Sequence, residues 1–158
     1  MSYYLLLPRA EHAMPTFTIP GGAGPIHVVD LHEESPTPSG SLPIVFVHGM
    51  VGYTGFWNSA LATCADRRRA VALDLRGHGN SGAPRDAVYD VESCADDVIA
   101  VFDALDLDGI VLVGHSYGAF VTIETAARRP NVVSRLVLVD PPGDFTRVPA
   151  DMRDAHIV

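Results

Sequence analysis

The stretch Val111-Leu112-Val113-Gly114-His115-Ser116-Tyr117-Gly118-Ala119 decides the fold of this chain. It reads as a buried strand that runs through Gly-x-Ser-x-Gly into a helix. Such a turn is so sharp that the residues two before and two after the serine must be small. Gly114 and Gly118 meet that need, letting strand and helix backbones approach while Ser116 is held at the apex with its hydroxyl exposed. Five residues are a short signature, so the flanks must decide.

On the carboxyl side, Tyr117 to Arg129 reads as a helix stopped by Pro130 and apolar over much of its surface, hence buried. Phe120 and Val121 are expected in its core-facing part. Val133 to Val139 is one more strand, ending at Asp140-Pro141-Pro142-Gly143. On the amino side, Asp90 is a good N-cap for a helix whose apolar positions Val91, Ala95, Val98, Ile99, Phe102 and Leu105 fall three or four apart. Its Asp96, Asp97 and Asp103 are expected in water. Further back, Ile44-Val45-Phe46-Val47 is an apolar strand running into His48-Gly49-Met50. Phe56 to about Ala65 reads as a helix, Arg69 to Asp74 as a strand, and Leu75 to Pro84 as a turn. Short apolar strands alternating with longer amphipathic helices predict an α/β chain with a mostly parallel sheet covered on both faces.

Before that core, Thr16 to Ile19 and Ile26 to Leu31 read as an antiparallel pair joined at Pro20-Gly21-Gly22, with Glu33 to Pro43 a connecting loop. The division is an amino-terminal arm at 1–14, a core domain at 15–143, and a polar segment at 144–158 that is the start of a cap or a tail.

Composition narrows the partners. Of 158 residues, 47% are hydrophobic and 19% charged, which suits one globular domain. A net charge of -8 works against nucleic acid or an anionic membrane surface and favours a small uncharged substrate. Cys64 and Cys94 have neither zinc spacing nor a disulfide framework and are expected as reduced, buried thiols. The apolar run Leu5-Leu6-Leu7 lacks a preceding basic residue and is too short for a signal peptide core, so a cytoplasmic protein is expected.

Three motifs stand in order: His48-Gly49, Asp74-Leu75-Arg76-Gly77-His78-Gly79-Asn80-Ser81, and Gly114-His115-Ser116-Tyr117-Gly118. Together they closely resemble the α/β-hydrolase family over about residues 16 to 143. The resemblance implies that Ser116 is the nucleophile and that the backbone N–H groups of Tyr117 and Met50 form an oxyanion hole. Two such donors need no particular side chain. The side chains of Met50, Phe56 and Trp57 are equally candidates to line a substrate pocket and to belong to the core, and that of Tyr117 is free to help shape the pocket. His48 is expected to hydrogen-bond structurally, His115 to pack, and His78 and Ser81 to stabilise their own loop, with Asp74 and Arg76 as a local charge pair. No metal or organic cofactor is implied.

The pattern departs from the family after Ser116. Members place the acid and then the histidine late, on an eight-stranded sheet, whereas six strands are legible here and the last two are lacking. After Ser116 the only histidine is His156. Asp140, at a strand end, and His156 would complete a triad, although nothing rigid is expected to hold His156. Three readings stay open: a serine esterase acting through an acyl-enzyme, a cofactor-free perhydrolase on the same motifs, and an inert relative that binds a ligand or partner. Strand 133–139 would be an exposed sheet edge through which copies could associate.

Overall fold

The computed structural model describes residues 14–31, 40–85 and 88–143. The arm expected at 1–14, apart from Met14, most of the loop at 33–43, and the segment 144–158 lie outside the described residues. The elements in chain order are β1 (Thr16–Gly21), β2 (Gly24–Asp30), β3 (Ile44–Val47), a 3-10 turn (Thr54–Trp57), α1 (Asn58–Ala65), β4 (Ala70–Leu73), α2 (Val91–Ala104), β5 (Ile110–His115), α3 (Tyr117–Arg128) and β6 (Val133–Val139).

The six strands form one sheet in the order β1-β2-β4-β3-β5-β6. β1 and β2 make the expected hairpin, Gly21 opposite Gly24, and β2 pairs antiparallel with β4. From β4 onward all pairings are parallel. β3 and β5 are covered on both faces of the sheet, which is why their sequences are apolar throughout rather than alternating. Alternation instead divides each strand between two cores. Val45 and Val47 face the helices α2 and α3 with Val98, Phe102 and Val121, while Phe46 faces Trp57 and Leu61 on the other side.

α2 begins where its sequence says. The Asp90 side chain accepts a hydrogen bond from the Ser93 N–H at 2.7 Å, the geometry of an N-cap. Its polar face departs from expectation at one position. Asp96 and Asp103 are exposed and pair with Arg128 and Arg129 of α3 and its C-cap, but Asp97 is buried. Its carboxylate takes two hydrogen bonds from the Arg76 guanidinium, at 2.6 and 2.9 Å. The expected Asp74–Arg76 pair is therefore replaced by Arg76–Asp97, which joins the turn after β4 to α2. Phe120 also differs: on α3 it points outward and is 37% exposed, whereas Val121 is fully buried.

Parallel strands, helices on both faces and crossovers at β3 and β4 collect the loops after β3, β4, β5 and β6 at the carboxyl ends of the strands. In open α/β sheets ligands bind there.

Candidate active site

Ser116 sits between β5 and α3 with φ 51° and ψ −121°. An L-residue reaches that conformation only under strain, and glycine would hold it at little cost. The flanks explain how it is enforced. A Cβ on Gly114 would fall 2.8 Å from the Ala119 Cα and closer still to Thr122 Oγ1, so strand and helix touch there. A Cβ on Gly118 would lie 2.6 Å from the Val47 carbonyl oxygen, so α3 starts against the end of β3. The Ser116 N–H donates to the Val139 carbonyl at 3.0 Å, while its own carbonyl accepts from the Ala119 N–H at 2.9 Å. Tyr117 and Gly118 open the helix, where N–H groups have no intrahelical acceptor.

The loop after β3 leans on this turn. A Cβ on Gly49 would stand 3.0 Å from the Ser116 Cβ, so only glycine lets the two backbones meet without displacement. His48 is fully buried beneath the loop. Its Nδ1 donates to the Gly49 carbonyl at 2.7 Å, and its Nε2 accepts from the Leu75 N–H at 3.0 Å. Both contacts are satisfied by one neutral tautomer, protonated at Nδ1. Burial accordingly pushes the imidazole below its ordinary pKa of 6.5, against the opposing pull of the Gly49 carbonyl.

The turn after β4 braces the same loop from outside. Asp74, fully buried, accepts from the Thr54 N–H at 2.6 Å and the Asn80 N–H at 2.9 Å. Ser81 donates to the Asp74 carbonyl and accepts from the His27 N–H, stitching this turn to β2. His78 reaches the Met50 carbonyl, so its role extends beyond its own loop. Asp74 as a junction between two loops was not legible from its sequence neighbours. The signal lay in Gly79, where a Cβ would collide with the Asp74 carboxylate.

The candidate pocket residues separate. Met50 is 64% exposed beside the turn, and Phe56 is exposed and stacked on His115 at 4.9 Å. Trp57 does not join them: at 7% exposure, packed 4.9 Å from Phe46, its ring belongs to the core on the α1 face. The Tyr117 side chain also turns inward. Its hydroxyl donates to the Tyr89 carbonyl at 2.6 Å and lies against Cys94, and burial pushes the pKa values of both groups up. Cys64 and Cys94 are both free thiols, Cys94 buried and Cys64 partly so. Asp140 follows β6 with φ 44° and is exposed; since His115 and Val139 are register partners, it starts the loop next to Ser116. His156 lies outside the described residues. Among the described residues no side chain hydrogen-bonds the Ser116 hydroxyl, no cluster of three His, Cys, Asp or Glu side chains could hold a metal, and no helix is long and apolar enough to cross a membrane.

The fold has counterparts among known proteins. The family model described as alpha/beta hydrolase fold matches residues 43–156. The chain belongs to the α/β-hydrolase family. Among α/β-hydrolase relatives, a probable lysophospholipase of Arabidopsis thaliana is 33% identical over 125 residues, covering 75% of this chain and 30% of its own length. An sn-1-specific diacylglycerol lipase of Danio rerio is 35% identical over 102 residues, covering 63% and 32%. Among solved structures, a thermophilic esterase of Thermogutta terrifontis superposes with a TM-score of 0.68 at 28% identity, covering 81% of this chain and 46% of that one. The chain thus spans about a third of the length of the curated relatives it matches.

Proposed function

We propose that this chain supplies the nucleophile and the oxyanion hole of an α/β hydrolase that cleaves a small ester or related acyl substrate. The Ser116 hydroxyl attacks the carbonyl carbon and gives up its proton to a base. The oxyanion that forms is met by the Tyr117 and Met50 N–H groups, whose positive ends are fixed before the reaction begins. The C–O bond to the leaving alcohol then breaks, the alcohol takes the proton, and acyl-Ser116 remains to be hydrolysed by water.

The observation that carries this reading is the backbone of Ser116 at φ 51° and ψ −121°, with Gly49 pressed against it. Strain of this kind persists only where the surroundings over-determine it, and it clusters at functional sites. Ester chemistry is favoured by the relatives, two named as lipases and one as an esterase. His48 and His78 have both ring nitrogens engaged by backbone groups, so neither serves as the base. The base and acid candidates that this chain offers after Ser116 are His156, outside the described residues, and Asp140 at the end of β6.

Labelling with a fluorophosphonate tests the proposal. The full chain is expected to react at Ser116 and a Ser116→Ala variant to remain unlabelled. Folded wild-type chain that takes no label would leave the alternative, a binding protein built on the same fold.

A further inference from the structure

His78 stands between two carbonyl groups. Its Nδ1 lies 2.9 Å from the Arg76 carbonyl oxygen and its Nε2 2.5 Å from the Met50 carbonyl oxygen. Carbonyl oxygens only accept, so both ring nitrogens must donate, and only the doubly protonated imidazolium carries two N–H groups. Either neutral tautomer would set a nitrogen lone pair against an oxygen lone pair. The two carbonyls belong to different loops, Arg76 to the turn after β4 and Met50 to the loop after β3.

The Met50 Cα is the joint between two rigid peptide planes. The first carries the Gly49 carbonyl, which accepts from His48 Nδ1 at 2.7 Å and from the Gly52 N–H at 2.9 Å. Because a trans peptide is planar, the Met50 N–H projects from the opposite edge of that same amide. The second plane carries the Met50 carbonyl, and His78 grips it. The geometry points to His78 as a positioning residue: as an imidazolium it ties the Met50 carbonyl to the Arg76 carbonyl and fixes the peptide plane that follows the Met50 Cα, so that the residue carrying the N–H is held from both sides. This rests on the reading of that N–H as an oxyanion donor.

The charged surroundings leave this bridge to His78 itself. The His48 ring, 5.0 Å away, is held neutral by the Leu75 N–H, and beyond it lies His115 at the end of β5. Asp74, on the same turn, accepts from two backbone N–H groups, and the Arg76 guanidinium is turned to Asp97 on α2. The loop packed above, residues 49–57, contains no charged side chain and only Tyr53 as a titratable one. Tyr89 covers Gly77 from the other side.

Long-range proton–nitrogen correlation spectra of the isotopically labelled full chain read ring protonation directly. His78 is expected with both nitrogens protonated. In His78→Gln, which offers a donor to one carbonyl only, the Met50 amide resonance should shift. The variant, folded by circular dichroism, should also label with fluorophosphonate about tenfold more slowly, less than the hundredfold or more lost with an oxyanion donor outright. A ring protonated at one nitrogen only, a Met50 amide unmoved by His78→Gln, or an unchanged labelling rate in the variant overturns the proposal. Wild-type chain without any label would strike the hydrolase reading instead, while the spectra still decide whether His78 holds Met50.

Discussion

At the scale of single residues, Ser116 and its two glycines form one unit. Gly114 and Gly118 let β5, α3 and β3 meet, and the meeting forces Ser116 into a conformation suited to glycine. Holding a non-glycine residue in such a region costs on the order of 1–3 kcal/mol. Removing the hydroxyl alone does not relieve that cost, whereas removing the Cβ does. Ser116→Gly is therefore expected to be more stable than Ser116→Ala by about 1 kcal/mol in urea denaturation. Equal midpoints with equal slopes would show that the turn stores no strain at Ser116. The same turn was readable from sequence because its requirement is local: two small residues at fixed offsets and an apolar run before them. The environment of His78 was not readable, because its second partner is the Met50 carbonyl, 28 residues earlier, and a backbone oxygen leaves no mark on residue identity.

Among the elements, the Arg76–Asp97 pair governs how the turn after β4, the β1–β2 hairpin and α2 are held together. Asp97 accepts from Arg76 at 2.6 Å and also from the Gly22 N–H at 3.3 Å in the hairpin turn, and both charged side chains are more than nine-tenths buried. Removing one partner of a buried pair strands the other charge, so Asp97→Ala is expected to cost about 3 kcal/mol in chemical denaturation. Replacing both residues together, as Arg76→Met with Asp97→Leu, should recover most of it, because no charge is left unpaired. A double variant as weak as the single one would count against that account. Helical periodicity places Asp97 beside Asp96 on what reads as a wet face, and only the arginine arriving from 21 residues earlier makes its burial tolerable. Trp57 was ambiguous for a related reason. Aromatic residues suit a pocket and a core equally, and the choice was made by Phe46 on a neighbouring strand. The strands, α2 with its Asp90 cap, and the parallel sheet were legible because period and capping are properties of the segment itself.

For the whole molecule, β6 is one of the two edge strands among those described, paired with β5 on one side only. Val139 is 39% exposed, and Val137 and Leu138 are partly so, an apolar edge that can accept another strand. Sedimentation velocity of the isolated 158-residue chain is expected to show association that grows with concentration, and Val139→Lys should reduce it without lowering stability. A wild-type chain that stays monomeric at all concentrations would remove this expectation. The net charge of -8 opposes such contacts at low salt, so added salt should strengthen them.

The strand order also sets a timetable for synthesis. β3 lies between β4 and β5, and its pairing of Ile44 with Val111 joins segments separated by two helices. When a ribosome has released β3 and β4, one flank of β3 still lacks its neighbour and Phe46 and Val47 have half their final surroundings. The loop that carries Met50 is then already made, but the serine it will face is not. Gly49 and Ser116 come into register only after β5 has emerged and slid in beside β3, so the emerging chain must keep a central strand waiting while α1, β4 and α2 are made.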